Sequence, residues 1–456
     1  MVAQHKLTNS WRSEAVAMMI LGLPLILSQL AQTLINITNT VMLGRVGPDE
    51  LAASVLGWQL FFVMWMFGNG FGFAVMPLIA NSLGAGDSRS VSRYVHMGLL
   101  ICLAYAVLIM PFLWFSEHIF LALGQDDRIA KLAAEYVRML QWSMFPQLTI
   151  ITLRSLLGAL QRPNIVVAAL IGGVASNFFL NLVFVHGLMG VPSLGMTGSA
   201  LSTVISTAGI ALFLIWYSVK HRSLVQYHLF SRPFIINIEA LLEVFRLGWP
   251  IGTTIVAEVA LFTATSFMMG WLGSIELAAH GIALQLSSIT FMVPLGLSAA
   301  ATVRVGWGFG KANYTAVSRS VRVAMLIGFV VSCMSAALFI LFPELLIGFY
   351  LDTDDVQSMS VMPVAVGLLM VAAAFQIVDG AQVLANGSLR GLKDTRIPML
   401  LALISYWAIG VPAGYIMAFK LDAGGKGIWW GLALGLSVAA VSLGIRLIIK
   451  VRQIKN

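Results

Sequence analysis

Glu258 and Asp379 are the residues of this chain whose chemistry asks for an explanation. Glu258 lies inside the apolar run 251–272 and Asp379 inside the run 359–386, whereas the other acids can be placed in loops or at the ends of such runs. An ionisable group in hydrocarbon costs roughly 2.5–3.5 kcal/mol on insertion scales, so two of them on separate segments argue for use. Low dielectric disfavours a carboxylate anion. A carboxyl placed there can hold a proton, or release it in exchange for a cation. The expected chemistry is that of a proton or cation site in a transporter, with Na⁺ a candidate ligand of Glu258 and Asp379.

The elements that must position these acids are membrane helices. The chain is 59% hydrophobic and 10% charged, against about 25% charged in soluble domains. Apolar runs long enough to span a bilayer recur along it. Twelve are expected, at roughly 15–43, 51–82, 92–116, 130–158, 165–187, 196–219, 241–271, 277–306, 318–343, 360–389, 397–419 and 427–449. The fold class is therefore an all-α polytopic membrane protein, with little chain left for a soluble domain. The first dozen residues are polar and the first run is too long for a signal core, so it reads as a permanent helix. Cys102 and Cys333 fall within the third and ninth spans and read as buried apolar residues, not as a disulfide.

The net charge of +8 is explained by topology and not by nucleic acid. With the N-terminus in the cytoplasm, only Arg45, Arg128, Lys131, Arg138, Lys420 and Lys426 of the 27 Lys and Arg fall on the far side. That is a strong positive-inside bias, which places both termini in the cytoplasm.

The second half of the chain resembles the first. A shift of 226 carries Pro24 onto Pro250, Gly44 onto Gly270, Gly47 onto Gly273 and Glu50-Leu51-Ala52-Ala53 onto Glu276-Leu277-Ala278-Ala279. It also matches Gln59 to Gln285, Gly84 to Gly310 and Val91-Ser92-Arg93 to Val317-Ser318-Arg319, and nearby shifts pair Asp126-Asp127 with Asp354-Asp355. Two lobes of six helices are expected, residues 1–225 and 226–456, joined by a polar, basic linker near 220–240. An even number of spans per lobe makes the repeat parallel, a 6+6 arrangement in which substrate sites usually lie between the halves.

Polar residues mark the faces that such a site would use. Gln29, Gln32, Asn36 and Asn39 are spaced 3, 4 and 3 along the first helix, and Asn177 and Asn181 are four apart on the fifth. Amides in hydrocarbon must face protein or water. They either bond between helices, at about 0.6 kcal/mol each, or line a cavity, and for the full stripe the cavity is the reading adopted. In the C-terminal half, Phe262 and Thr265 share a helix face with Glu258, while Phe375, Asp379, Gln382 and Asn386 follow one another at spacings 4, 3 and 4. Under the repeat Glu258 is the counterpart of Gln32, so the C-terminal half offers acids where the N-terminal half offers amides. Gln285 joins the candidate lining. No Lys or Arg is expected deep in a helix, and a cavity with acids and no bases suits cationic cargo. The 26 Phe, 12 Trp and 23 Met can supply an adaptable apolar wall for varied substrates, or serve as packing and lipid-facing filler. His186 and His280 sit near helix ends and are assigned no site. The sequence has no HExxH, no P-loop and no nucleophile elbow; neither an enzyme nor a cofactor is expected.

The blocks Asn39-Thr40-Val41-Met42-Leu43-Gly44, Ala257-Glu258-Val259-Ala260-Leu261-Phe262, Asp379-Gly380-Ala381-Gln382-Val383, Asn386-Gly387-Ser388-Leu389-Arg390-Gly391 and Ser405-Tyr406-Trp407 resemble the multidrug and toxic compound extrusion (MATE) family, close to its NorM-type members. The likeness extends over essentially the whole chain. It implies an inner-membrane antiporter that expels organic cations in exchange for sodium or protons, with Glu258 and Asp379 in coupling. Two departures accompany it. Asn39 stands where the family commonly has an aspartate, and an amide cannot lose a proton. Phe375 stands where NorM-type members often have a tyrosine. Both place the coupling chemistry in the C-terminal half. The partners expected are small cationic or amphipathic drugs and the lipid bilayer, and a monomer suffices. The rival class is a flippase for a lipid-linked saccharide, whose phosphates would call for Arg or Lys in the cavity. An intramembrane aspartyl protease would need two aspartates and a Gly-x-Gly-Asp motif, which the sequence lacks, and the two-lobe repeat favours a carrier over a channel.

Overall fold

The computed structural model describes residues 10–44, 47–190, 192–227, 229, 236–351 and 356–454, and among them the chain is helical with no strand. In order, the helices are α1 (Trp11–Leu43), α2 (Pro48–Gly84), α3 (Ser88–Trp114), α4 (Ser116–Ala122), α5 (Asp127–Leu140), α6 (Met144–Ala159), α7 (Pro163–Phe184), α8 (Gly195–Lys220) and α9 (Arg222–Val225). There follow α10 (Ile238–Leu272), α11 (Ser274–Gly310), α12 (Tyr314–Leu341), α13 (Pro343–Gly348), α14 (Val356–Gly391), α15 (Arg396–Leu403), α16 (Val411–Tyr415) and α17 (Gly424–Gln453). Between α15 and α16 the chain is π-helical over Ile404–Gly410, and again after α16 over Ile416–Lys420. Part of the expected linker and the Asp354-Asp355 pair lie outside the described residues.

Among the described residues, eleven stretches are long and apolar enough to cross a membrane. They coincide with eleven of the expected spans. The segment expected at 130–158 is divided instead into α5, a 3₁₀ turn at Gln141–Ser143, and α6. Pro146 gives the reason: it has no N–H for the Trp142 carbonyl, and its ring crowds that carbonyl, so the backbone tightens just ahead of it. Large apolar side chains such as Leu108, Phe179, Phe267, Leu326 and Phe349 stand exposed on the spans and their connections. In water they would be a liability; on these helices they form the lipid face of a multi-pass membrane protein.

The chain divides into two compact units. The divisions fall inside helices: Leu27–Gly252 belongs to the first unit, while His5–Ile26 and Thr253–Asn456 belong to the second. Thus α1 and α10 each contribute to both.

In the first unit α2 packs against α3, α5 and α6, and α7 pairs with α8. Phe61, Trp65, Phe120, Tyr136 and Leu148 make up much of its core. Near the start of α10, Glu243 accepts a hydrogen bond from the Tyr94 phenol at 2.5 Å. The turn ahead of α3 has Gly86 in the left-handed region (φ 78°), and Asp87 then caps the helix, accepting from the backbone N–H groups of Arg89 and Ser90 at 3.1 and 3.2 Å.

In the second unit α14 is packed by α11, α12 and α17. Ser298 and Thr302 of α11 donate to the Val383 and Gly387 carbonyls of α14, each at 2.8 Å. Such close approach requires glycine at 387, where a Cβ would fall 2.5 Å from the Ser298 carbonyl oxygen. The turn ahead of α12 has Ala312 in the left-handed region (φ 51°), and Asn313 caps the helix by accepting from Ala316 N–H at 2.9 Å. Glu14 of α1 is held by Arg304 of α11, with Nε at 2.9 Å and Nη2 at 2.5 Å, and by the Ser320 hydroxyl of α12 at 2.7 Å.

Arg304 corrects one expectation, together with Arg154 of α6 in the first unit. The two are 4% and 6% exposed, so bases do lie deep in helices. Arg304 is matched by Glu14, and Arg154 donates to Gln29 Oε1 at 2.5 Å. Both partners are distant in sequence, which hides the pairing from helix spacing.

Candidate functional site

The acids occupy α10 and α14 of the second unit. Asp379 is 2% exposed, and its Oδ1 has no hydrogen-bond partner among the described residues. Glu258 is half-buried. The two carboxyls interact electrostatically, and Glu258 also interacts with the Arg390 guanidinium near the end of α14. A buried carboxyl oxygen left without a donor is costly, and a proton or a cation is the partner that would satisfy it.

One turn from each acid, the two helices meet through rings. Phe262 follows Glu258 by four residues and Phe375 precedes Asp379 by four; their centroids are 6.2 Å apart at 71°. Phe375 also meets Trp429 of α17 edge-on at 5.5 Å. Trp429 Nε1 donates to His280 Nδ1 at 3.1 Å, and His280 Nε2 faces the Ser266 hydroxyl at 3.0 Å. His280 is therefore committed to packing contacts.

Gln382, one turn beyond Asp379, donates Nε2 to the Tyr406 phenol at 2.5 Å, while its own Oε1 is buried without a partner among the described residues. Tyr406 is fully buried and interacts electrostatically with Glu258, Asp379 and Arg390. Its neighbour Trp407 donates Nε1 to the Ala257 carbonyl at 3.3 Å, beside Glu258. Tyr406, Trp407 and Arg390 were visible in the sequence only as parts of family blocks; no spacing rule links them to the acids. Gln285 is not drawn in: it is exposed, and no hydrogen bond or electrostatic interaction ties it to the acids among the described residues.

The amides of the first unit form a separate, neutral network. Asn39 Nδ2 donates to Thr203 Oγ1 at 2.8 Å and Asn39 Oδ1 accepts from Asn181 Nδ2 at 3.0 Å. Asn181 Nδ2 also donates to Asn177 Oδ1 at 3.1 Å, and Asn177 Nδ2 reaches the Ser206 hydroxyl at 3.4 Å. Asn177 and Asn181 are fully buried, and Asn181 Oδ1 has no partner among the described residues. Gln32 and Asn36, from the same stripe as Asn39, are half-buried and their side chains take no part in the network. Thr203 and Ser206 were missed, although Ser199, Thr203 and Ser206 recur at helical spacing on α8 and could have been found by the rule that found the amides.

A bundle of long apolar helices that carries acids within two of them is, as a class, a polytopic α-helical membrane protein built for transport. The chain belongs to the MatE family, whose model matches residues 24–183 and 250–416. It is similar to the "Probable multidrug resistance protein NorM" of Rhizobium meliloti (43% identity over 98% of this chain and 96% of that protein) and to the "Multidrug resistance protein NorM" of Burkholderia vietnamiensis (37%, over 94% and 93%). Among solved structures it shares its fold with the eukaryotic MATE transporter AtDTX14 (TM-score 0.87, 20% identity, 97% and 98% of the two chains). It shares it also with an outward-facing multidrug resistance MATE transporter of the MOP superfamily (TM-score 0.87, 20% identity, 97% of each). The family is one of transporters and not of enzymes.

Proposed function

We propose that this chain is a secondary active multidrug efflux antiporter of the bacterial inner membrane, with both termini in the cytoplasm. It exports organic cations and other amphipathic drugs in exchange for Na⁺ or H⁺. The observation that carries the reading is Asp379: a buried acid with an unused oxygen, in the field of a second acid, Glu258, on another helix. Relatives named for multidrug resistance support drugs as the cargo.

The coupling ion is a co-substrate. A proton needs one carboxyl. Sodium needs several oxygens, and the free Oε1 of Gln382 stands one turn from Asp379 to add to the acids. Ion binding competes with, or reshapes, the drug site, and only a difference in affinity between the two facing states can drive the change. Gln32, Asn36, Asn39, Asn177, Asn181, Phe262, Phe375 and Gln382 are assigned to cavity lining and support, Gln285 to lining alone. A monomer suffices.

Twelve spans in a 6+6 repeat belong to the same reading, with α5 and α6 together forming the fourth span. Three observations support the repeat. The two stretches matched by the family model begin at 24 and 250. The unit divisions follow Ile26 and Gly252. The left-handed turns lie at Gly86 and Ala312. Each pair is separated by the same 226 residues as the sequence repeat. The saccharide flippase is not favoured. The buried bases Arg304 and Arg154 already face Glu14 and Gln29, Arg390 interacts with Glu258, and the relatives carry multidrug names.

The test is ethidium efflux from proteoliposomes under an imposed proton gradient or an imposed sodium gradient. One gradient is expected to drive efflux, and Glu258→Gln and Asp379→Asn are each expected to abolish the coupled flux in folded protein. Full activity in both variants would sink the assignment.

A further inference from the structure

The acids stand on different helices, so something must hold their spacing. Their mutual interaction depends on separation, and a pair that drifts apart ceases to act as one site. Besides the Phe262–Phe375 ring contact, the second unit supplies two ties, and both come from adjacent residues of one segment. Tyr406 is bonded to Gln382, three residues from Asp379 on α14 and hence on the same helix face. Trp407 is bonded to the backbone carbonyl of Ala257, the residue before Glu258 on α10. The segment carrying them, Ile404–Gly410, is π-helical, a geometry uncommon in helices and concentrated at functional positions. Successive side chains on a helix diverge, so neighbours at 406 and 407 can reach two different helices.

We propose that Tyr406 and Trp407 are positioning residues that clamp the helix turns bearing Asp379 and Glu258 at a set spacing, and so set the affinity of the acid pair for its coupling ion. This rests on the assignment of the two acids to ion coupling. The Tyr406 phenol spends an acceptor site on Gln382, which leaves its O–H to donate within the acid cluster. The Trp407 N–H fixes main chain, so its effect on Glu258 is one of position alone. Neither residue needs to ionise.

Tyr406→Phe removes one hydroxyl and nothing else; Trp407→Phe removes the indole N–H. Each is reconstituted and assayed for ethidium efflux while sodium is titrated at fixed pH and pH at fixed sodium, alongside Asp379→Asn. The expected result is a shift of up to about tenfold in the half-activating concentration of the coupling ion, the size of one lost hydrogen bond between neutral groups at the upper end of its range, with half-saturation by ethidium unchanged. A merely structural role would instead lower the thermal midpoint and the maximal rate and leave ion dependence where it was. That outcome in Tyr406→Phe, with Asp379→Asn uncoupled, overturns this inference alone. Wild-type ion dependence in Asp379→Asn, or no ion-driven efflux by the unaltered protein, overturns the assignment of the acids and this inference with it.

Discussion

Asn181 shows what a single residue does in the neutral network of the first unit. Its one amide group donates to both Asn39 and Asn177. Asn181→Leu keeps the branching at Cγ but strands those two acceptors in a buried site, at a cost of about 1–3 kcal/mol besides the strain of a somewhat larger side chain. A lowered unfolding midpoint in detergent, with ion dependence unmoved, is the expected outcome. At this scale the sequence was legible where a residue is chemically out of place. Acids in apolar runs announce themselves, and so do amides at spacings of three and four. Side chains ordinary in a membrane helix do not. Tyr406 became part of the acid cluster through partners on other helices, which periodicity cannot supply, whereas Thr203 and Ser206 keep a helical spacing with Ser199 that the same rule reads. Gln285, brought forward by repeat matching, stands exposed, and among the described residues no hydrogen bond joins it to the acids.

Among the elements, the turns ahead of α3 and α12 offer a test with opposite signs. Gly86 adopts φ 78° and Ala312 φ 51°. A left-handed conformation costs a non-glycine residue about 1–2 kcal/mol, and nothing lies within 4 Å of a Cβ added at Gly86. Gly86→Ala is therefore expected to destabilise and Ala312→Gly to stabilise, the latter by about 0.5–1 kcal/mol after the entropy of a glycine is set against it, both read from thermal midpoints. The Glu14–Arg304 pair is a second test. Removing one partner of a buried ion pair leaves an uncompensated charge and costs about 3–5 kcal/mol. Glu14→Ala and Arg304→Ala should each destabilise strongly, and the double variant should lose much less than their sum. Element ends and apolar runs were readable because hydropathy reports them directly. The break at Gln141–Ser143 was not, because apolar composition runs on through Pro146 while backbone geometry does not.

For the whole molecule, the expected repeat was read from matched residues such as Gly47 and Gly84 with Gly273 and Gly310. The sequence repeat divides the chain near 225, but compactness divides it within α1 and α10. The difference is topological: each of those helices runs on without a turn at the division, so hydropathy gives no mark of it, and only Pro24 and Pro250, two residues ahead of the two divisions, stand near it in the sequence.

That division bears on how such a chain can be cut. A fragment ending at Val225 would carry Trp11–Ile26, which belongs to the second unit, and would lack 238–252, which the first unit contains. Expressed alone, either fragment is expected to be degraded or to recruit a second copy of itself by exchanging half-helices. Co-expressed, the two are expected to assemble and restore ethidium resistance to a sensitive host. Stable, monodisperse single fragments would show that the borrowed half-helices are dispensable.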